Sequence, residues 1–448
     1  MKKNIGLLLF AVLILSPFIF LATEASAQRD LPPNRPEKGL VYDGLEVPHD
    51  GSCKGAYHVK SAINGRHDCS HGPDAAPATM SMSSVAPVTT TPPPVVCDGD
   101  GSSGQRVQVI YAHPSTVADQ YATYKASFQQ WAADTDSEFY VSAQQTGGVR
   151  HVRYVTDAAC MPVVLDVTLS ATGASDFGTT INELTAQGYT RSDRKYLLFV
   201  DAAVYCGISN VQSDDQAGSA NVSNSGPAYA RIDSGCWSGV IAAHELMHTL
   251  GGVQLSAPHS DANWHCNEGY DNMCDHSGHA VTYACTNSAG DASFDCNHDD
   301  YYNTAPVAGS YLATHWNTAN NQFLINPNAP APSATVNSIQ TGVLSKRGVF
   351  TAATTFAAGS TVTARVHVVN QTGNNLPGAA VTLSYKRPDG TAQCTATVTT
   401  DAGGTAQFSC ATSRNAPKGV WSLQLGSVTM AAMPLSSSSL STSAFTIQ

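Results

Sequence analysis

Charged side chains are scarce in this chain: Asp, Glu, Lys and Arg make up 13% of its 448 residues, against roughly a quarter in ordinary soluble domains. Ser, Thr, Ala, Gly and Asn fill the gap, a composition that suits an extracellular protein better than a cytosolic one. Positive charge is the scarcer sign. With 23 Lys and Arg against 34 Asp and Glu, the formal net charge is −11. That balance excludes nucleic acid and anionic membrane surfaces as the main partner. A Cys-x-x-Cys pair is also missing, which argues against a thiolate-bound structural zinc. Beyond the N-terminus no run is long and apolar enough to span a bilayer, and no repeat at a solenoid period is visible.

The N-terminus reads as a targeting segment. Lys2 and Lys3 form a positive start, Gly6 to Leu21 is nearly unbroken apolar sequence, and Ala25-Ser26-Ala27 is a small-x-small cleavage site. Residues 1–27 are therefore expected to be a signal peptide and the protein to be secreted. All 12 Cys lie beyond that segment, an even number that reads as disulfides in an exported chain. Proximity alone gives the pairs Cys53–Cys69, Cys97–Cys160, Cys206–Cys236, Cys266–Cys274, Cys285–Cys296 and Cys394–Cys410.

Residues 28–96 read as a poorly structured pro-segment or linker, ending in the Pro-rich stretch before Val96, with a small disulfide-stapled unit before that stretch as the alternative to a pro-segment. From Cys97 the pattern is mixed α/β. Strands are expected at Val107–Tyr111, Val152–Val155, Val163–Leu169 and Tyr196–Val200, with an edge strand at Tyr229–Ile232. Helices are expected over Val117–Ala133, Phe177–Gln187 and Gly239–Leu250, the last N-capped by Ser238 and stopped by Gly251-Gly252. A first globular domain is thus expected over 97–325 and a linker over 326–335. Short alternating strands over 336–448, divided by Gly, Asn and Asp, predict an all-β sandwich.

His244-Glu245-Leu246-Met247-His248 is the strongest chemical signal. Residues four apart on a helix share a face, so both imidazoles can bind one zinc, and Glu245 can reach a water in the open position as general base. The third ligand is less defined: His259 and His265 are the candidates. Asp295 to Asp300 clusters oxygen donors and offers a weaker candidate for calcium, as does Cys97 to Gly101, although both also suit ordinary turns.

His244-Glu245-x-x-His248-x-x-Gly251 resembles the opening of the metzincin metallopeptidase signature, and Asp271-Asn272-Met273-Cys274 resembles its Met-turn. Roughly residues 100–324, through Gly251-Gly252-Val253-Gln254, Ala257-Pro258-His259, His265-Cys266 and the Asp299 to Asn317 segment, resemble bacterial secreted zinc-dependent metallopeptidases that carry a C-terminal Ig-like domain. The resemblance implies an α+β zincin (metzincin-like) catalytic domain followed by an Ig-like sandwich, with one catalytic Zn2+, Glu245 as base and a protein or peptide substrate. Gln254 stands where metzincins place the third His. In matrix-type metzincins that His precedes the turn Met by eight residues, as His265 precedes Met273 here, so the resemblance favours His265 over His259. Two other functions stay open: a secreted binding or adhesion protein with an inactive zincin domain, and a zinc amidase acting on cell-wall material.

Overall fold

The computed structural model describes residues 30–63, 66–77, 85–274, 282, 293–327, 334–370, 375–430 and 443–448. The signal segment, the middle of the second linker and Cys285, hence the Cys285–Cys296 pairing, lie outside them. The other five expected disulfides are all formed. Among the described residues no helix is long and apolar enough to cross a membrane, and the disulfides fit an oxidising compartment.

The first region is built on an eight-stranded mixed sheet. Its strands are β1 (Leu45–Glu46), β2 (Tyr57–Ile63), β3 (Arg66–Asp74), β4 (Arg106–Pro114), β6 (Val164–Leu169), β7 (Arg194–Val200), β8 (Gly207–Val211) and β9 (Ala228–Asp233), while β5 (His151–Val152) pairs separately with β10 (Leu324–Ile325). The spatial order is β1-β2-β3-β8-β9-β7-β4-β6. Strands β6, β4, β7 and β9 run parallel to one another, β8 lies antiparallel to β9, and β4 and β7 are buried along their whole length, as parallel strands covered on both faces must be. Helices α1 (Tyr121–Gln145), α2 (Phe177–Ala186) and α3 (Gly239–Thr249) do the covering. Odd-numbered Val107, Val109 and Tyr111 join Phe128, Trp131, Trp237 and Leu246 in the core under α1 and α3. Even-numbered Ile110 and Ala112 join Phe177, Ile181 and Leu184 under α2. The period-2 alternation of one strand thus feeds two cores.

Several expectations change here. Residues 28–96 are not an unstructured lead-in: they supply β1, β2 and β3. Neither β2 nor β3 shows a clean apolar alternation, and their order comes from pairing with each other, from the pairing of β3 with β8 and from the Cys53–Cys69 bridge. Tyr229–Ile232 is not an edge strand, since β9 sits between β8 and β7. The first helix starts and ends later than Val117–Ala133, because Phe139 and Ala143 continue its buried face.

The second region is a β-sandwich. One sheet holds β12 (Phe350–Ala352), β11 (Ala334–Leu344), β14 (Thr361–Asn370) and β17 (Thr405–Ala411). The other holds β13 (Thr355–Phe356), β19 (Ser443–Ile447), β18 (Gly419–Thr429), β15 (Ala380–Lys386) and β16 (Ala392–Thr399). Val362, Ala364, Val366 and Val368 face Leu383, Trp421, Leu423 and Phe445 across the interior, and the Cys394–Cys410 bridge ties the two sheets together.

Candidate metal centre

Helix α3 begins where Ser238 accepts a hydrogen bond from the Ile241 amide at 3.2 Å, satisfying one of the free N–H groups of the first turn. It ends at Gly251, whose φ of +87° lets the Gly251 and Gly252 amides bond back to the carbonyls of His248 and Met247 at 3.0 Å each. A Cβ at Gly251 would also lie 2.5 Å from Ser223 Oγ, so no other residue fits the turn. Between these caps, His244 and His248 project from one face.

The structure brings His244, His248 and His265 together and leaves His259 elsewhere. Nε2 of His248 lies 3.1 Å from Nε2 of His244, and Nε2 of His265 lies 3.3 Å from each. His244 Nδ1 donates to the Asn272 carbonyl at 2.6 Å and His265 Nδ1 to the Asn263 carbonyl at 3.1 Å. Because a carbonyl only accepts, the proton of each neutral ring sits on Nδ1, and both Nε2 atoms present lone pairs to the common centre. Three nitrogens at these spacings cannot all bond one another as donor and acceptor. They are spaced as ligands around a zinc-sized ion.

The surrounding loop is held tightly. The Asn272 side chain donates to Glu138 Oε1 of α1 at 2.6 Å and to the Val240 carbonyl of α3 at 3.0 Å, which fixes the carbonyl that orients His244. The Cys266 amide donates to the Met273 carbonyl at 2.9 Å beside the Cys266–Cys274 bridge. Met273 itself is fully buried and packs into the core under α3.

Sequence reasoning missed two residues of this site, Asp74 and His71. Strand β3 carries one extra residue against β8 between Ser70 and Pro73, and such a bulge re-aims the side chains beyond it. Asp74 then lies with Oδ2 3.0 Å from His244 Nε2 and Oδ1 3.2 Å from His265 Nε2. It stands at the fourth corner of the histidine set. Its carboxyl is held well below the usual range: burial opposes this, but His71, His265 and His244 around it prevail. His71 stacks on His248 with ring centroids 3.9 Å apart. Its Nε2 accepts from the Ser209 amide at 3.2 Å, so that nitrogen is already occupied, and burial pushes its pKa down to about 3. The only signal in the sequence was the closeness of His67, His71 and Asp74 in a stretch assigned to a linker.

Glu245 is fully buried. Its carboxyl lies 3.4 Å from His71 Nε2 and against Gly207, where a Cβ would sit 1.8 Å from Oε1. Burial, then the charge of Asp74, raises its pKa well above the carboxylate range. A catalytic zinc keeps one position open for water or substrate. Here the Asp74 carboxylate lies against the Nε2 atoms of His244 and His265, and the expected base faces a buried imidazole.

The calcium expectation meets a similar obstacle. Asp295 accepts backbone N–H bonds from Asp299, Asp300, Tyr301 and Tyr302, so its oxygens are filled by the loop it organises. Asp100 accepts from Ser102 and Ser103, an ordinary turn.

Comparison with known proteins defines the second region first. Residues 347–445 match the MG2 domain, an Ig-like domain of alpha-2-macroglobulin, in agreement with the sandwich seen there. Among solved structures, trypsin-activated alpha-2-macroglobulin from Escherichia coli is 17% identical with a TM-score of 0.19, over 25% of this chain and 7% of that one. An immunoglobulin-like protein from Pseudomonas aeruginosa is 18% identical with a TM-score of 0.17, over 26% of this chain and 97% of its own. OgpA from Akkermansia muciniphila is 11% identical with a TM-score of 0.25, over 80% of this chain and 97% of its own. These scores are too low to define the fold of the whole chain. No curated protein matches.

The MG2 match overturns the expected metzincin membership. It supports an Ig-like domain over residues 347–445, and with it the expectation of a hydrolase, protease or metalloprotease is corrected. Over residues 347–445 the fold it supports is the Ig-like β-sandwich, and no comparison supports the expected α+β zincin catalytic domain.

Proposed function

We propose that this chain is an exported binding protein in which one zinc is held by His244, His248, His265 and Asp74, and in which the MG2-type sandwich engages a protein or peptide partner. The observation that carries the metal assignment is the convergence of three Nε2 atoms within 3.3 Å of one another, with the Asp74 carboxylate beside them. A set of four protein ligands is closed, and closed zinc sites stabilise folds. Here the ion would staple β3 to α3 and to the loop carrying His265. His71 and Glu245 would pack behind the ligands and keep water out. The partner's place is the outer face of the β11-β14-β17 sheet. A shallow polar depression of about 320 Å³ there is lined by Ser338, Gln340, Arg365, His367, Asn375 and Thr405.

The test has two readouts. Elemental analysis should find zinc in the wild-type protein, less in Asp74→Asn and one equivalent fewer in His265→Ala. Incubation of the wild type with casein should give no chelator-sensitive cleavage. Chelator-sensitive proteolysis would overturn the binding reading, and unchanged zinc in His265→Ala would overturn the metal assignment.

A further inference from the structure

His259, excluded from the first centre, belongs to a second cluster. One ligand atom from each of His259, Glu268, Asp299 and Asp300 lies within 4.8 Å of all the others. Nδ1 of His259 is 3.1 Å from Asp300 Oδ2, 3.5 Å from Glu268 Oε1 and 3.6 Å from Asp299 Oδ1. The site is built into the fold: the side chains of Glu268 and Asp300 are 1% and 0% exposed, and the His259 amide donates to Asp300 Oδ1 at 2.8 Å. Glu268 Oε1 also accepts from the Asn297 side chain.

Three carboxylates facing one imidazole leave an imbalance of charge that hydrogen bonds do not remove. The second oxygen of Glu268 is buried and has no hydrogen-bond partner, a costly state for a carboxylate without a compensating cation; Oδ1 of Asp299 is likewise without a hydrogen-bond partner, on a side chain that is 43% exposed. Burial, followed by the negative charge of Asp295, pushes the Asp300 carboxyl up to about 7. Burial also raises Glu268.

We infer that His259, Glu268, Asp299 and Asp300 form a second divalent-metal site, distinct from the histidine centre and selective for a zinc-class ion. Imidazole nitrogen among carboxylates suits zinc and its transition-metal neighbours, whereas calcium takes oxygen donors. The separations from His259 Nδ1 match those between ligands bound at roughly 2.0–2.2 Å. An ion here would clip the His259 loop to the Asp299-Asp300 segment.

The full chain, loaded with zinc and dialysed against metal-free buffer, tests this by elemental analysis beside circular dichroism. Wild type should hold two equivalents. The pair Glu268→Gln with Asp300→Asn should hold one, and His259→Ala should fall to the same level with its fold retained. His265→Ala should also lose one, from the other centre, so failure of either site is read separately. If the Glu268→Gln, Asp300→Asn protein unfolds, His259→Ala alone decides. Zinc stoichiometry equal to wild type in a folded His259→Ala protein, or a wild type holding one equivalent that His265→Ala abolishes, would overturn the second site.

Discussion

The two regions treat buried polarity in opposite ways. Among the described residues of the sandwich, the buried polar groups include the hydroxyls of Thr341, Thr363, Thr400 and Thr412, each with a hydrogen-bond partner, and the buried hydroxyl of Tyr385. The first region buries Arg106, Arg194, Arg231, Asp233, Glu245, His248, Asp271, Asp295 and Asp300. Burying ionisable groups is costly, and a fold retains them where they are paired or where they bind something. Arg231 is of the first kind: it meets Asp233 through two bonds of 2.7 and 3.0 Å and also donates to Ala174 and Thr180. On the reading proposed above, the histidine centre and the His259 cluster are of the second kind. The sandwich has an apolar interior, and the binding proposed for it would use its surface.

That contrast can be broken experimentally, and the largest effect should come from the metal. Stripping the histidine centre by chelation or by His265→Ala removes a term that reaches on the order of 10 kcal/mol in small structural zinc sites. Calorimetry should show the transition of the first region falling steeply while that of the sandwich stays in place. A joint fall of both transitions would mean that the regions do not respond separately.

Asp233→Ala should come next. It leaves Arg231 charged, buried and without its carboxylate, a loss of about 3–5 kcal/mol, confined to the first transition in the same calorimetric experiment. The converse perturbation is Cys394→Ala with Cys410→Ala. The bridge closes a loop with a sequence separation of 16, and its removal should lower the sandwich stability in urea by about 3 kcal/mol without changing zinc content. Loss of zinc in that variant would show that the sandwich supports the metal centre.

The smallest effect expected is from Ser238→Ala, which deletes one N-cap bond of α3. About 1 kcal/mol should be lost, with zinc still bound, as measured by denaturant unfolding and elemental analysis. A larger loss accompanied by metal release would mean that the cap positions His244 as well as starting the helix.

Local patterns were legible in the sequence because they are set by neighbours along the chain. The spacing of His244 and His248 on a helix, the Ser238 cap, the Gly251 stop and the alternation in β14, β15 and β17 all depend on residues a few positions apart. The resemblance around His244 and Met273 misled at the level of activity, since a shared motif does not show what else occupies the site. Residues 28–96 misled in the other direction: their weak apolar pattern hid three strands whose partners lie far along the chain.

The sequence by itself therefore determined which helix carries the paired imidazoles and which region forms an apolar sandwich, because hydrophobic period and helical pitch are short-range properties. Only the tertiary structure decided what faces those imidazoles. Pairing of β3 with β8 carries Asp74 and His71 to α3, and the loop after Gly251 delivers His265 to the first centre while His259 meets Glu268, Asp299 and Asp300. Strand register and loop closure set these meetings, and both are fixed by contacts between segments that no local pattern links.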